Sequence, residues 1–111
     1  MAPLPSGTVT FLFTDIEGST QLARKFPDLW PEILARHNVL LQTAMASYQG
    51  HHFRTIGDEL GVAFETALDA LAAAITAQRA LNTEDWGGKG PIRVRMGLHT
   101  GPATPRARPT G

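Results

Sequence analysis

The stretch TVTFLFTDIEGST, at residues 8–20, constrains the fold more than any other part of this chain. Its first half is rich in β-branched and aromatic side chains, which favours a β-strand. Residues 11–13 are three consecutive apolar residues, a pattern typical of a strand covered on both faces. Asp15 and Glu17 follow at the carboxyl end of this strand. The chain therefore needs a sheet with a central strand that ends on acidic side chains.

Proline and glycine positions predict where the next elements begin and end. A short helix begins near Ser19, which we expect to cap it, and Pro27 ends it. Asp28 is expected to cap a longer second helix, and Gly50 to end it as a C-terminal glycine. Two short strands then flank the Gly-Asp dipeptide at residues 57–58, which predicts a β-hairpin.

The second half of the chain completes a known topology. Thr66 followed by Asp69 resembles a capping box at the start of a third helix. A last strand at residues 92–101 alternates apolar and polar side chains. The order β-α-α-β-β-α-β predicts an α+β fold, a ferredoxin-like sandwich with one extra short helix. In this fold the first strand is central and lies beside the hairpin.

Apolar periodicity indicates which side of each later element faces the core. The second helix has a core-facing set at helical spacing, namely Ile33, His37, Leu40, Leu41, Ala44 and Tyr48. The third helix carries an apolar stripe formed by Leu68, Leu71, Ala72 and Ile75. In the last strand Ile92, Val94, Met96 and Leu98 point one way, and Arg93, Arg95 and His99 the other. We expect these two arginines to lie on a solvated or dimer-facing surface.

Length and composition indicate a single globular domain of 111 residues with zero formal net charge. The balanced charge argues against a nucleic-acid-binding module, and the absence of cysteine excludes disulfides. No apolar run is long enough to span a membrane, and the start MAPLPSG is unlike a signal peptide, so we expect a cytoplasmic protein without membrane contact. We divide the chain into a lead-in at 1–7, a domain at 8–103 and a disordered tail at 104–111.

Two aspartates far apart in the sequence are expected to meet in this topology. Asp15 ends the first strand, and Asp58 lies in the neighbouring hairpin turn. Two carboxylates and the backbone carbonyl of Ile16 would form an oxygen site for Mg²⁺ or Mn²⁺, which bind few carboxylates plus substrate phosphates. The alternative is that both aspartates are ordinary turn or capping residues. The residue types alone leave both interpretations open.

The segment that follows Asp15 suggests what such a metal would bind. Residues 16–20, IEGST, open a helix and offer backbone N–H groups that favour an anion. A metal site beside an anion site is typical of nucleoside triphosphate binding.

Together these motifs resemble the class III nucleotidyl cyclase catalytic domain, the adenylyl and guanylyl cyclase family, from about residue 7 to about residue 103. TVTFLFTDIEGST resembles the first metal motif of the family, and RTIGDE resembles the second. RHNVLLQ, AAAITAQRAL and VRMGLHTGPA follow in the order and at the spacing of the family. Of the family's subgroups, the bacterial one with the sequence LFTDIEGST is the most similar in these motifs.

The resemblance implies a role for each matching position. Asp15, Ile16 and Asp58 would hold two Mg²⁺ or Mn²⁺ ions, one activating the ribose 3′-hydroxyl and one holding the triphosphate. The backbone groups that would hold the phosphates belong to Ile16, Glu17, Gly18, Ser19 and Thr20. Arg54 falls where adenylyl cyclases commonly carry a base-selecting lysine, and arginine is not equivalent to lysine. The expected activity is conversion of ATP to cyclic AMP and pyrophosphate, in cyclic-nucleotide signalling.

Family members continue past GLHTGPA into a second catalytic stretch, which supplies an asparagine and an arginine that stabilise the transition state. The family active site forms between two chains in a head-to-tail dimer. Because residues 104–111 resemble none of that stretch, we expect the isolated chain to be impaired and its dimerisation to be doubtful.

Two other functions are compatible with the same motifs. One is a non-catalytic relative that binds metal and nucleotide, alone or as the partner of a full-length cyclase. The other is a different two-metal enzyme of the same topology, such as a polymerase palm or a diguanylate cyclase. The hairpin sequence IGDEL, which differs from GGDEF, argues against the last of these.

Overall fold

The computed structural model describes residues 7–103. Its elements are β1 (Gly7–Ile16), α1 (Ser19–Lys25), α2 (Trp30–Ser47), β2 (His51–Ile56), β3 (Glu59–Phe64), α3 (Ala67–Thr83) and β4 (Val94–Ala103). A short 3₁₀ turn, Gly87–Lys89, lies between α3 and β4. The predicted order of elements is confirmed, although β1 is one residue longer at each end and β4 begins two residues later than predicted. The predicted tail and the lead-in before Gly7 lie outside the described residues.

The four strands form one antiparallel sheet in the order β2-β3-β1-β4. β1 is therefore an inner strand with β3 on one side and β4 on the other. The register places Leu12 of β1 opposite Val62 of β3 and Leu98 of β4. This arrangement confirms the predicted ferredoxin-like α+β fold.

One face of the sheet packs against the helices and forms the core. Successive β1 side chains alternate between the two faces, and those at positions 12, 14 and 16 are buried. The β3 residues paired with positions 12 and 14 are also buried. The largest fully buried side chains of this core include Leu12, Ile16, Ile33, His37, Leu41, Val62 and Phe64. The sheet therefore gains its apolar burial mainly from one side.

The other face of the sheet, called the open face below, carries three aromatic rings. The ring centroid of Phe11 lies 6.2 Å from that of Phe13 and 5.8 Å from that of Phe53. Phe13 and Phe53 are both 42% exposed. The expectation that β1 is covered on both faces was therefore wrong for the described residues, because the helices pack on one face and the aromatic rings cover each other on the second.

The helices bury partly different residues from those predicted. On α2 the buried residues are Ile33, His37, Leu41, Ala44 and Met45, while Leu40 and Tyr48 are half-buried. On α3 the apolar stripe points outward, with Leu68 78% exposed, and the buried side is formed by Ala70, Ala73, Ala74, Ala77 and Leu81. Within residues 7–103, no helix combines the length and the apolar character that a membrane crossing needs.

The residues at the helix ends agree with the prediction in one case and differ from it in three. Thr66 caps α3 as predicted, since its hydroxyl accepts a hydrogen bond from the Asp69 N–H at 3.1 Å. The N-cap of α1 is Gly18 and not Ser19, and the N-cap of α2 is Leu29 and not Asp28. The left-handed residue after α2 is Gln49, with a φ of 63°, and not Gly50. The predicted helices thus form, but different residues terminate α1 at its N-terminus and α2 at both ends.

Candidate functional site

Asp58 docks the hairpin turn between β2 and β3 onto the end of β1. Its Oδ2 atom accepts a hydrogen bond from the backbone N–H of Ile16 at 2.7 Å. Gly57, beside it in the turn, has a φ of 59°, which glycine adopts without steric cost. The expected proximity of the hairpin turn and the end of β1 is therefore present in the structure.

Asp15 precedes Ile16 and projects from the open face. It is paired across the sheet with Arg95 of β4. The guanidinium of Arg95 donates from Nε to Oδ1 at 2.7 Å and from Nη2 to Oδ2 at 2.8 Å. The side chains of Asp15 and Arg95 are 30% and 68% exposed. Both oxygens of the first aspartate thus contact a guanidinium at the protein surface.

A cavity of about 410 Å³ opens beside this ion pair. Of the predicted site residues, Asp15 and Arg54 line it, whereas Asp58 and residues 16–20 do not. Glu59, which follows Asp58 in the chain, and Arg95 also line it. The structure thus brings an aspartate, a glutamate and two arginines from all four strands to one opening.

The segment at residues 16–20 retains part of its expected set of N–H donors. The Ile16 N–H is bonded to Asp58, and the Glu17 N–H donates to the Arg93 carbonyl at 2.8 Å. Gly18 has a φ of 67° and caps α1, and the first helical bond runs from the Leu22 N–H to the Gly18 carbonyl. The N–H groups of residues 18–20 therefore precede the hydrogen-bonded part of the helix.

Arg54 reaches the cavity from an irregular part of the sheet. The pairing between β2 and β3 shifts register between His52 and Arg54, which indicates a bulge at Phe53. Opposite them lies Gly61, where an added Cβ would stand 3.0 Å from the Phe53 ring and 3.3 Å from the Arg54 Cβ. The glycine thus leaves room for Phe53 and Arg54 to lie across β3.

The Arg95 guanidinium pairs with Asp15 and also senses the charges of Glu17 and Asp58. Its hydrogen bond and its ion pair with Asp15 raise the pKa of Arg95 most strongly, and the charges of Glu17 and Asp58 raise it further. Burial has the opposite effect. Arg95 is therefore the cation that balances an acidic end of the sheet.

The donor set matches a hard cation that binds few protein ligands. Among residues 7–103 there is no cluster of three or more histidine, cysteine or acidic side chains that would hold a metal. Asp15, near the end of β1, and Asp58, bonded to the next residue Ile16, instead offer two carboxylates at one end of the sheet. Mg²⁺ commonly binds through one or two carboxylates and completes its shell with water and substrate phosphates. The residues present fit such an ion and do not fit a closed all-protein site.

Sequence reasoning missed Arg95 as the partner of Asp15. The alternation of β4 correctly assigned Arg95 to the face opposite Val94 and Met96. The pairing depends on the register between β1 and β4, in which Asp15 and Arg95 are 80 residues apart in the chain. A register argument from Leu12 opposite Leu98 would have found it, since antiparallel pairing then fixes every other partner.

Fold and site define the class of protein. It is a ferredoxin-like α+β domain with one aspartate near the end of an inner strand and a second in the neighbouring hairpin turn. The sequence model for the adenylate and guanylate cyclase catalytic domain matches residues 1–107. The chain therefore belongs to this family.

Individual relatives agree with this assignment. Receptor-type adenylate cyclase GRESAG 4.3 of Trypanosoma brucei brucei is 35% identical over 82 residues, which cover 74% of this chain. A solved adenylate cyclase structure from Trypanosoma brucei, in its monomeric state, superposes with a TM-score of 0.84 at 26% identity over 95% of this chain. The guanylate cyclase domain of RhGC from Catenaria anguillulae, in complex with GTP, shares the fold with a TM-score of 0.79 at 20% identity over 89% of this chain.

The chain is much shorter than these relatives. It spans 7% of the length of GRESAG 4.3 and 61% of the solved trypanosomal chain. It also spans 59% of the RhGC chain. The described residues thus correspond to part of a cyclase catalytic domain.

Proposed function

We propose that this chain supplies the metal- and triphosphate-binding half of a nucleotidyl cyclase active site, which converts ATP to cyclic AMP and pyrophosphate. The observation that carries the proposal is the hydrogen bond from the Ile16 N–H to Asp58. It fixes the second aspartate beside the strand end from which Asp15 projects. Asp15, which lines the cavity, and Asp58 are thereby held at the same end of the sheet before any ligand binds.

Asp15, the Ile16 carbonyl and Asp58 are the proposed metal ligands. Because its Oδ2 already accepts the Ile16 N–H, Asp58 would ligate mainly through Oδ1. Bound divalent ions would supply Lewis-acid activation of the ribose 3′-hydroxyl and neutralise charge on the triphosphate. Glu17, at the same end of β1, would add negative charge that favours cation binding.

The proposed phosphate and base contacts lie on either side of these ligands. The backbone N–H groups of Gly18, Ser19 and Thr20 are the strongest candidates for phosphate, because those of Ile16 and Glu17 have partners within the protein. Arg54 lines the cavity and is the proposed base contact. ATP is favoured over GTP because relatives of at least 30% identity, GRESAG 4.3 among them, are named adenylate cyclases.

A head-to-tail pairing of this chain with a full-length cyclase is part of the proposal. The exposed rings of Phe13 and Phe53 form an apolar patch beside Asp15, and such patches often mark protein interfaces. A partner docked there would enclose the cavity and contribute groups from its own second half. Exclusion of water by the partner would strengthen the attraction of Arg54 for a nucleotide and of Asp15 for a bound divalent ion.

The test is cyclic nucleotide formation from ATP and GTP with Mn²⁺. The chain is assayed alone and mixed with a related cyclase whose two metal-binding aspartates are mutated but whose second half is intact. Asp15→Asn is the control, since it keeps the size of the side chain and removes its charge. Product in the mixture that disappears with Asp15→Asn is expected. Absence of product with a folded wild-type chain that pairs with the tester cyclase would overturn the proposal.

A further inference from the structure

We propose that Arg95 is a latch on Asp15, which occupies its carboxylate in the metal-free protein and must release it before a divalent cation binds. This inference rests on the proposed function, because it takes Asp15 as a metal ligand. It assigns Arg95 a positioning role that sets the metal affinity of the site.

The geometry of the ion pair makes the guanidinium and a metal ion compete. Arg95 uses two N–H groups in a fork, one to each oxygen of Asp15, at 2.7 and 2.8 Å. A divalent ion bound to either oxygen would stand next to a guanidinium of the same sign of charge. Because like charges at that separation repel strongly, the two cations exclude each other from the carboxylate.

The same pair is arranged so that it can open. The side chain of Arg95 is 68% exposed, and the pair lies at the mouth of a cavity of about 410 Å³. Ion pairs between exposed side chains contribute little to stability, since water and salt screen them. Because the pair is weak, a divalent cation can displace Arg95 from Asp15. The cavity has room for the released side chain.

The latch also has a function while it is closed. Asp15, Glu17 and Asp58 gather at one end of the sheet, and the charges of all three act on Arg95. Without a counterion these carboxylates would repel each other and push the hairpin turn away from β1. Arg95 thus keeps the acidic end in its binding arrangement, at the cost of metal affinity.

Arg95→Met tests the latch, because methionine keeps an apolar stem of similar length and removes the guanidinium. Mn²⁺ binding is measured without nucleotide, by calorimetry or by the electron paramagnetic resonance signal of free Mn²⁺. We expect Arg95→Met to lower the Kd by roughly three- to thirtyfold. Arg95→Lys keeps the charge but loses the fork, and its Kd is expected to lie between those of the wild type and Arg95→Met.

Arg93→Met is the matched control. It changes the net charge by the same amount on the neighbouring exposed position of the chain, and the Arg93 side chain does not pair with Asp15 within residues 7–103. Its Kd should stay within about twofold of wild type if local pairing, and not net charge, governs binding. An Arg95→Met Kd equal to or higher than that of the wild type would overturn the latch.

Asp15→Asn separates failure of the latch from failure of the proposed function. If Asp15→Asn abolishes Mn²⁺ binding while Arg95→Met does not tighten it, the metal site stands and the latch is wrong. If Asp15→Asn leaves Mn²⁺ binding unchanged, or if neither the folded wild type nor folded Arg95→Met binds Mn²⁺, Asp15 is not a metal ligand and both proposals fail. Far-UV circular dichroism of every variant verifies that the domain is folded.

Discussion

Asp58 has a structural task that can be separated from its proposed task as a ligand. Its carboxylate accepts the N–H of Ile16, a residue that is 2% exposed. Asp58→Ala removes the acceptor and leaves a shielded backbone donor without its partner. Asp58→Asn keeps an amide oxygen at the same place and removes only the charge.

The magnitude follows from this difference. Leaving a buried donor unpaired costs about 1–3 kcal/mol of the free energy of unfolding. Asp58→Ala should therefore lower the urea midpoint by about 1 M, given a slope of roughly 1–3 kcal/mol per molar urea for small domains. Asp58→Asn should lose at most about 1 kcal/mol, because it exchanges a charged hydrogen bond for a neutral one.

The assay is urea unfolding followed by circular dichroism, with EDTA present so that no metal contributes. Mn²⁺ binding is measured on the same samples without EDTA, and both variants are expected to lose most of it. Asp15→Ala is a second control, because it removes only the exposed pair with Arg95 and should destabilise the fold less than Asp58→Ala. Equal unfolding midpoints for Asp58→Ala and Asp58→Asn would refute the structural role assigned to this carboxylate.

Two further predictions concern the core. Gly50→Ala should cost about 1–3 kcal/mol of unfolding free energy, because the new Cβ would stand 2.8 Å from Val62 Cγ1 and 2.9 Å from the Phe64 ring, both of which are buried. Gly88→Ala, with no atom within 4 Å of its Cβ, is the matched control, and equal denaturation midpoints for the two variants would contradict the steric argument. Burial lowers the pKa of His37 below its usual 6.5, against the opposite effects of its hydrogen bond to Asn38 and of a nearby carboxylate. The unfolded chain therefore binds the proton more readily, so stability is complete above about pH 6.5 and falls below it with a slope of at most about 1.4 kcal/mol per pH unit. His37→Met should remove this dependence of stability on pH in urea titrations between pH 7.5 and 5. A dependence that survives the substitution would show that His37 is not its cause.

The order of elements and the meeting of β1 with the hairpin turn were predictable from the sequence. Periods of two and of 3.6 residues distinguish strands from helices, and glycine and proline mark the breaks. The split βαβ topology then leaves one neighbour for the hairpin, so the placement of Asp58 beside Ile16 followed from connectivity alone.

The reasons behind single residues were harder to predict. Gly50 was identified as a helix terminator, yet the left-handed residue is Gln49, and Gly50 is glycine because Val62 and Phe64 occupy the space of a side chain. Arg95 was assigned to the correct face, but its pairing with Asp15 required the register. Both features depend on residues distant in sequence, which local patterns do not report.

The apolar pattern of α3 predicted the wrong buried side, because this helix packs closely against the sheet. On α3 the large side chains Leu68 and Leu71 are exposed, and the contact with the sheet and with α2 is made largely by alanines. A pattern read from side-chain size favoured the leucine stripe. The distance between helix and sheet, which selects small residues, is a property of the packed structure.

On α3 the small alanines tolerate fewer substitutions than the large exposed leucines do. Ala70, Ala73 and Ala77 have no exposed surface, so each added methyl group would have to push the helix away from its neighbours. Leu68, 78% exposed, would accept charged or polar replacements at little cost. Over this helix, evolutionary drift would therefore change Leu68 and Leu71 first and leave the buried alanines in place.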